Sequence, residues 1–397
     1  MSTQRHNPQS SPRRLGRFRA VVAALVTALG LSVTVSGCQS AADLAPMRIN
    51  FNTELAEDPV VAAALQSSLA SLLGSVARGE LSAQQVAPEL VDGNTFFGKT
   101  LRALGQQPGA AVHAPLVLKS YSPDGASYLV TVAFFRAASR QPQIAKILEF
   151  HAYRDGDGYR FRSPFDHYNS LPSHEADGVT FHARAPFDEQ RAREFVRFKS
   201  QLERLVHAPP SHLDYYCFHS LDELLKAHGI LYDATKCNSL AQDLGFLDGD
   251  LFLTGTGDER YIFGYLRDYL YRHCNAKGDL YAPFVNGMAA YYGGYSLSGD
   301  DMPTLKRQFR AKLAANPDFD FLREFRLERK SSVNRHFTHY VICALLCEEV
   351  VTQFGFEQAM ALAHSGKNGK DFFTKLHSIL GVDETSFHAL VARLIRT

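Results

Sequence analysis

The sequence predicts an α+β protein in which a sheet-rich first half is followed by a mainly helical second half. Two pairs of strand-like segments in the first half are each joined by a short turn rich in Gly, Asp, Pro and Ser. From about residue 186 onward, apolar residues recur at the spacing of amphipathic helices. Strands and helices that are segregated along the chain in this way are typical of the α+β class.

The chain begins with a pattern that is typical of secretion signals. Four arginines between positions 13 and 19 precede an apolar run, residues 21–35, which is too short to span a bilayer comfortably. The run leads into Ser36, Gly37 and Cys38. Small residues directly before a cysteine resemble the bacterial lipobox, and the resemblance implies that Cys38 is diacylated and becomes the mature N-terminus. The alternative is an ordinary cleaved signal with an incidental cysteine.

The residue after Cys38 is Gln39 and not Asp, which in lipoprotein sorting suggests the outer membrane. Residues 1–37 are then the lipoprotein signal peptide and residues 38–58 a lipidated tether. We expect no later apolar stretch to reach membrane-spanning length. The resemblance therefore implies a periplasmic body in the cell envelope that is held to the membrane by its lipid alone.

Size and charge limit the remaining possibilities. Removing 37 residues from 397 leaves 360, which is long for one domain and enough for two. Lys and Arg number 42 against 41 Asp and Glu, so bulk charge does not favour binding to nucleic acid. A hydrophobic content of 45% indicates a globular chain and not a disordered one.

The first predicted domain covers residues 59–185. A helix is expected to start at Pro59 and to run to Val76, because Pro is favoured in a first helical turn. Two β-hairpins follow, and a connector is predicted at the end of the domain. This layout resembles the NTF2-like fold, whose curved sheet surrounds a pocket. The hairpin strands are residues 116–121 with 128–135 and 144–153 with 159–161, and the connector is residues 163–185.

The second predicted domain, residues 186–397, is mainly helical. Cap residues and Gly stops bound its helices. The predicted helices are residues 188–205, 221–227, 261–273, 286–292, 332–353, 356–364, 371–380 and 384–396. Five cysteines follow Cys38, so an oxidising compartment would leave at least one unpaired within the chain. Cys343 and Cys347 are one helical turn apart and are predicted to lie side by side on a buried stripe.

Two neighbouring helical segments share a pattern with a known family. Residues 261–273 read YIFGYLRDYLYRH, and residues 284–295 read FVNGMAAYYGGY. A helix, a short loop and a second helix with a Gly-x-Ala-x-Tyr-x-Gly-Gly phrase resemble the core of gluzincin metallopeptidases. The chain from about Arg160, including HYVICALLCEEVVTQFGFEQAMALAHSGK at 339–367, is similar to a group of uncharacterised bacterial gluzincin-like proteins.

The resemblance implies His-Asp-x-x-His on the first helix and Glu-Gly-x-Ala on the second. The two histidines and the Glu bind zinc, and the acidic residue activates water. Here Arg267 and Tyr271 stand at the histidine positions, Asn286 stands at the Glu position, and Asp268 keeps the acidic position. All three ligands are replaced, and the fixed charge of an arginine opposes zinc. We expect Arg267 to pair with Asp268 or to reach Asn286.

The other residues whose side chains could bind a metal ion are interpreted as core or surface residues. His336 and His339 are three positions apart on one helix, and His339, Cys343 and Cys347 follow at intervals of four. This stripe has the geometry of a metal site, but cysteine more often behaves as a small buried hydrophobe. We call Arg267, Asp268, Tyr271 and Asn286 the remnant site, and His273 would need a register shift to join it. The histidines at 113, 151, 167, 174 and 182 lack ligand spacing and are interpreted as surface or satisfied core residues.

These patterns predict a pseudo-enzyme that acts as a binding or scaffolding module for a peptide or an envelope protein, with no cofactor. The alternative is an active metal-dependent hydrolase that holds zinc with non-standard ligands, such as Asp268 with His273 or His336 with His339. A third hypothesis places the function in the first half, where a curved sheet with a helix on one side binds a small ligand or a partner.

Overall fold

The fold is α+β, as predicted. The computed structural model describes residues 59–78, 80–91, 95–105, 112–136, 143–234, 244–294, 300–316, 319–326 and 333–396. The signal segment, Cys38, the tether and Cys237 lie outside these residues. Within them, helices surround two five-stranded sheets.

The strands are short in the second sheet and longer in the first. In chain order they are β1 (Val112–Tyr121), β2 (Ser127–Arg136), β3 (Gln143–Asp155), β4 (Gly158–Arg162), β5 (Ser173–Ala176), β6 (Val179–Ala183), β7 (Leu213–Cys217), β8 (Ile230–Asp233), β9 (Gly245–Asp248) and β10 (Leu251–Thr254).

The helices fall into a small group before the first sheet and a larger group after β10, with three between the strands. They are α1 (Pro59–Arg78), α2 (Pro88–Val91), α3 (Phe96–Gly105), α4 (Phe165–Tyr168), α5 (Glu189–Leu205), α6 (Leu221–Ala227), α7 (Ile262–Tyr269), α8 (Ala282–Gly293), α9 (Met302–Ala315), α10 (Phe321–Arg326), α11 (Val333–Phe354), α12 (Phe356–Ala363), α13 (Gly369–Leu380) and α14 (Glu384–Arg396).

The first sheet has the order β1-β2-β3-β4, all antiparallel, so both predicted hairpins are confirmed. The long strand β3 also pairs with β8, which comes from the second predicted domain. A buried ion pair between Lys146 and Asp233 joins these two strands. Leucine and phenylalanine side chains from α1 and α3 pack on one face of this sheet, including Leu69, Leu101 and Phe97.

Helix α1 corrects one prediction. Residues 59–76 have a mean hydropathy of 1.5 and are long and apolar enough, by length and composition, to cross a membrane. The expectation that no stretch after the signal reaches that length is therefore wrong. Leu65, Leu69 and Leu72 of this helix are buried against the first sheet. One apolar face turned to a core is typical of an amphipathic helix in a folded domain.

The second sheet was not predicted. Its order is β5-β6-β7-β10-β9, with parallel pairing at β6–β7 and β7–β10 and antiparallel pairing at both edges. The segment 163–185, predicted to be a connector, instead contains α4, β5 and β6. Pairing therefore crosses the predicted boundary at residue 185 in both directions, because β5 and β6 join the second sheet and β8 joins the first.

Most predicted helices are present, and the residues predicted to cap their N-termini do so. Asp188 accepts hydrogen bonds from the backbone N–H groups of Gln190 and Arg191 at the start of α5. Ser220 accepts one from the N–H of Glu223 at the start of α6. Helix α8 begins four residues earlier than predicted, and α9 and α10 were not predicted. Helices α5, α7, α8 and α11 contribute to one large core with one face of the second sheet.

Candidate functional site

Arg267 and Asp268 of the remnant site lie on α7, and hydrogen bonds from the second sheet and from α5 fix the start of this helix. The hydroxyl of Tyr215, on β7, donates to the carbonyl oxygen of Asp258 at 2.7 Å and accepts from the N–H of Tyr261 at 3.1 Å. Arg191, on α5, holds the Asp258 carboxylate with two hydrogen bonds of 2.8 and 2.6 Å. These contacts tie α7 to the second sheet and to α5, so its register is well defined.

Arg267 and Asp268 form an ion pair on α7. This is one of the two pairings that the sequence analysis predicted for Arg267. Arg267 Nε and Nη2 both donate to Asp268 Oδ1, at 2.8 and 2.7 Å. The two side chains are only 13% and 19% exposed, so the pair is largely shielded from water. A shielded, charge-assisted pair with two donors on one oxygen holds both side chains in one geometry.

The same pair reaches the edge strand β9. In an antiparallel strand, every second residue points its N–H and C=O groups away from the paired neighbour. In the edge strand β9, the residues that do so are Gly245 and Leu247. The N–H of Leu247 donates to Asp268 Oδ2 at 2.9 Å. Arg267 donates to the carbonyl oxygen of Gly245, and Arg272 to that of Leu247, both at 3.4 Å. We call Arg267, Asp268 and Arg272 the edge clamp.

The edge clamp determines whether the Asp268 carboxylate is available as a general base. Its Oδ1 atom is bound to a guanidinium, and its Oδ2 atom is bound to a backbone N–H. A general base needs a carboxylate oxygen within reach of a water or substrate proton. Both oxygens of Asp268 already hold structural donors, so in this geometry the carboxylate fastens the edge strand to the helix.

Tyr271 lies beside the edge clamp, in a π-helical turn, Leu270–Cys274, that continues α7. Burial raises the pKa of its phenol, while Arg267 lowers it and Asp268 raises it. That Arg267, Asp268, Tyr271 and Asn286 together form one site stays a prediction. His273 lies elsewhere: its ring packs on Tyr269 with 4.4 Å between ring centroids.

Asn286 is half-buried on α8, directly before Gly287. The glycines of the phrase that resembles gluzincins have a packing role. A Cβ atom on Gly287 would lie 2.2 Å from the Cβ atom of Cys343 on α11, and one on Gly293 would lie 2.4 Å from the N atom of Phe263 on α7. Both residues are therefore glycine because three helices approach closely here.

The stripe His339, Cys343 and Cys347 is part of the core, as its ordinary interpretation predicted. Cys343 and Cys347 are fully buried, and the His339 ring packs against Phe325 with 4.6 Å between ring centroids. Burial raises the pKa of the Cys347 thiol well above its usual range. A metal-binding thiolate is disfavoured by such an environment. The side chain of His336 is outside the described part of the chain.

No three His, Cys, Asp or Glu side chains among the described residues come together in a group that could hold a metal ion. The hydrolase hypothesis required such a group near the Gly287 helix. Comparison of this chain with protein-family models, with curated proteins and with solved structures gave no match.

A second polar cluster, which the sequence analysis did not identify, lies on the first sheet. Glu149 and His151 are alternate residues of β3, and each is 8% exposed. Tyr168, on α4, donates a hydrogen bond to Glu149, and Arg162, on β4, donates one to His151. His151 was interpreted as a surface or satisfied core residue, but its Nε2 atom is buried without a hydrogen-bond partner among the described residues. The alternation of apolar and polar residues from Leu148 to Ala152 was the signal in the sequence that would have placed it on the face opposite the core.

Proposed function

We propose that this chain is a lipid-anchored protein of the bacterial cell envelope whose second half is a metallopeptidase-like domain without zinc, serving as a binding or scaffolding module. The observation that carries the proposal is the edge clamp, in which both oxygens of Asp268 are occupied by Arg267 and by the N–H of Leu247. The acidic residue that would activate water instead holds an edge strand in place.

The metallopeptidase-like part of the proposal is supported by the arrangement of helices. Helix α7, which carries Arg267, packs against α8, which carries Asn286. Tyr271 follows in the π-helical turn that continues α7. The resemblance implies zinc ligands on two neighbouring helices of this kind, so this packing supports the proposal.

Restoring the three ligands tests this part directly. The variant Arg267→His/Tyr271→His/Asn286→Glu is expected to bind about one zinc ion, since three protein ligands with an open fourth position form a catalytic-type zinc site. Circular dichroism checks the fold, and elemental mass spectrometry after dialysis measures the metal.

The matched control carries the same two histidines with Asn286→Gln, because an amide is a poor zinc ligand of nearly the same size. We expect the control to retain much less zinc than the triple variant. A folded triple variant that holds no more zinc than this control would exclude the metallopeptidase-like geometry.

The anchor is tested separately, because it depends on Cys38 alone. Changing Cys38 to Ser removes the thiol that would carry the lipid, so labelled palmitate should no longer be incorporated and the protein should leave the membrane fraction. The Cys274→Ser variant serves as the control and should behave like the wild type. Unchanged labelling of the Cys38→Ser variant would reject the lipoprotein interpretation.

A further inference from the structure

The first sheet has an inner face in the core and an outer face that carries polar groups. Val130, Leu148 and Phe150 point into the core with α1 and α3. Because successive residues of a strand alternate between faces, Thr131, Glu149 and His151 point the other way. The one-turn helix α4 lies over this outer face. We call Thr131, Glu149, His151, Arg162 and Tyr168 the outer-face cluster.

The hydrogen bond from Arg162 determines the tautomer of His151. Arg162 Nε donates to His151 Nδ1 at 3.1 Å, so Nδ1 must carry a lone pair. A neutral imidazole then has its proton on Nε2. Burial, followed by the charges of Arg162 and His167, lowers the pKa of His151, which favours this neutral form. His151 therefore presents an N–H donor at Nε2.

No residue that the structure describes accepts a hydrogen bond from that donor. The Nε2 atom is buried, and His151 as a whole is 8% exposed. Leaving a buried donor unsatisfied costs about 1–3 kcal/mol, so such groups usually meet a water molecule or a ligand. Because Nε2 carries the proton, it offers a hydrogen bond and not a metal-binding lone pair.

The neighbouring carboxylate is held in a fixed orientation. Thr131 Oγ1 donates to Glu149 Oε2 at 3.0 Å, and the Tyr168 hydroxyl donates to Glu149 Oε1. Each oxygen still has acceptor capacity, since a carboxylate offers about four lone-pair sites. The cluster therefore places a fixed acceptor two residues from a fixed donor on the same strand face.

The cluster disfavours an ionic ligand of either sign at His151. Arg162 is paired with Asp166 at 3.3 Å, so its positive charge is already compensated and does not attract an anion. The charge of Glu149 would repel an anion, and the N–H at Nε2 offers a cation no lone pair. An uncharged molecule that both donates and accepts hydrogen bonds avoids both penalties.

We propose that the outer-face cluster binds an uncharged polyhydroxylated ligand, a saccharide or polyol, with one hydroxyl oxygen accepting from His151 Nε2. Another hydroxyl of the ligand donates to Glu149. Tyr168 is 40% exposed, and the Arg162 guanidinium lies 5.5 Å from the centroid of the Tyr153 ring. Aromatic faces beside a few placed polar groups are typical of small-molecule sites. The side chains of α4 on the solvent side of the cluster, Asp166, His167 and Tyr168, are exposed, so the ligand approaches from this side.

This proposal concerns the first sheet and does not depend on the proposed function of the second half. It is tested by nuclear magnetic resonance of residues 39–397 labelled with ¹⁵N-histidine, titrated with glucose, N-acetylglucosamine, maltose and glycerol. We expect His151 to show the Nε2–H tautomer without ligand, and its Nε2 resonance to shift in a saturable manner with at least one of these probes.

The variant His151→Phe keeps a flat ring but removes the donor. Its affinity for the active probe should fall about tenfold or more, which corresponds to loss of one buried hydrogen bond. The matched control is His174→Phe, because His174 stacks on Phe187 away from the outer-face cluster, and it should bind like the wild type. If His151→Phe does not fold, Arg162→Lys is used, since loss of the Arg162 Nε donor should change the His151 tautomer and weaken binding.

Three results would overturn the proposal. The first is a His151 resonance that no probe shifts, with nuclear Overhauser effects to an internal water only. The second is the Nδ1–H tautomer in the wild type. The third is equal affinity of the active probe for the wild type and His151→Phe.

Discussion

The polar side chains at the two sheets of this molecule differ in how completely they are hydrogen-bonded. On the second sheet, Asp268 has both carboxylate oxygens occupied, by Arg267 and by the backbone of β9. On the first sheet, His151 has one ring nitrogen occupied and the other buried without a partner in the part of the chain that the structure describes. The carboxylate at the second sheet is thus occupied by hydrogen bonds within the protein. The imidazole on the first sheet keeps unused hydrogen-bonding capacity.

This difference shows that residue type and spacing are weaker evidence of function than hydrogen-bond occupancy. An acidic residue at a catalytic position is chemically available only if its oxygens are free to meet a proton. A histidine without ligand spacing becomes a site when the fold orients one nitrogen and leaves the other unsatisfied. The predictions below test each side of this comparison.

The largest effect is expected at Gly287, where α8 and α11 meet. A Cβ atom there would lie 2.2 Å from the Cβ and 2.5 Å from the backbone carbon of Cys343, so the helices must separate. Gly287→Ala should lower the free energy of unfolding by about 3 kcal/mol through overpacking. Urea denaturation followed by circular dichroism measures the change.

The control for Gly287 is Gly74→Ala in α1, where the nearest atom to a new Cβ is the end of the Arg78 side chain at 3.5 Å. Alanine is the better helix former, so this variant should raise the free energy of unfolding by about 0.5–1 kcal/mol. If both variants change stability by the same amount, the packing explanation of the glycine phrase is wrong.

An intermediate effect is expected at the edge clamp. Asp268→Ala leaves the shielded Arg267 guanidinium and the N–H of Leu247 without this acceptor, which should cost about 2 kcal/mol of unfolding free energy. In a double-mutant cycle with Arg267→Met, the coupling between the two residues should be about 1–2 kcal/mol. Both quantities come from denaturant midpoints at fixed pH.

A structural clamp and a catalytic surface predict different results in that cycle. A surface residue that is free for chemistry usually changes stability by less than about 0.5 kcal/mol when it is removed. An Asp268→Ala variant as stable as the wild type would therefore show that Asp268 has no structural role. Asp268 would then again be a candidate general base.

The smallest effect is expected for His151→Phe, which should stay within about 1 kcal/mol of the wild type at pH 7, because removal of an unsatisfied donor offsets part of the loss of the acceptor for Arg162 Nε. Its pH dependence should differ more clearly. The pKa of His151 is lowered below 6.5 in the folded state, so the unfolded chain binds the proton first. Wild-type stability must then fall as the pH drops through 6.5, and the variant lacks this contribution.

Thermal unfolding between pH 7 and pH 5 measures this difference. The variant should become more stable relative to the wild type as the pH falls. His273, whose pKa burial also lowers, is present in both proteins and contributes the same slope to each. A difference in stability that stays constant with pH would mean that the environment of His151 has been misassigned.

Much of the fold was predictable where local signals are strong. The turn residues between β1 and β2 and between β3 and β4 predicted both hairpins. Cap residues such as Asp188 and Ser220 predicted helix starts to the residue. Long apolar periodicity predicted α11 within one residue at each end, since a helix of that length repeats its pattern many times.

The second sheet was not predictable in this way, because most of its strands have four or five residues. Over so few positions, a period of two cannot be separated from part of a helical repeat. The Asp248-Gly249 pair between β9 and β10 was an available signal, since Asp-Gly favours tight hairpin turns and Gly249 has a φ of +64°. The parallel pairs depend on contacts between distant segments, which local patterns do not contain.

In the candidate sites, too, contacts between neighbouring residues were predictable and contacts between distant segments were not. The ion pair between Arg267 and Asp268 joins neighbouring residues of α7, and it was one of the two pairings predicted for Arg267. The hydrogen bond from Asp268 to Leu247 joins residues 21 positions apart, and it required the edge strand that was missed. The tautomer of His151 depends on Arg162, which is on another strand, so no spacing rule would have identified it.

The most direct test of the central claim is the zinc content of purified, untagged residues 39–397, measured by elemental mass spectrometry after dialysis. If the edge clamp has replaced metal chemistry, we predict less than about a tenth of an equivalent of zinc, since a structured zinc site would retain its ion. Close to one equivalent that resists dialysis and is lost in Asp268→Ala would contradict the account, and would establish the remnant site as a metal centre.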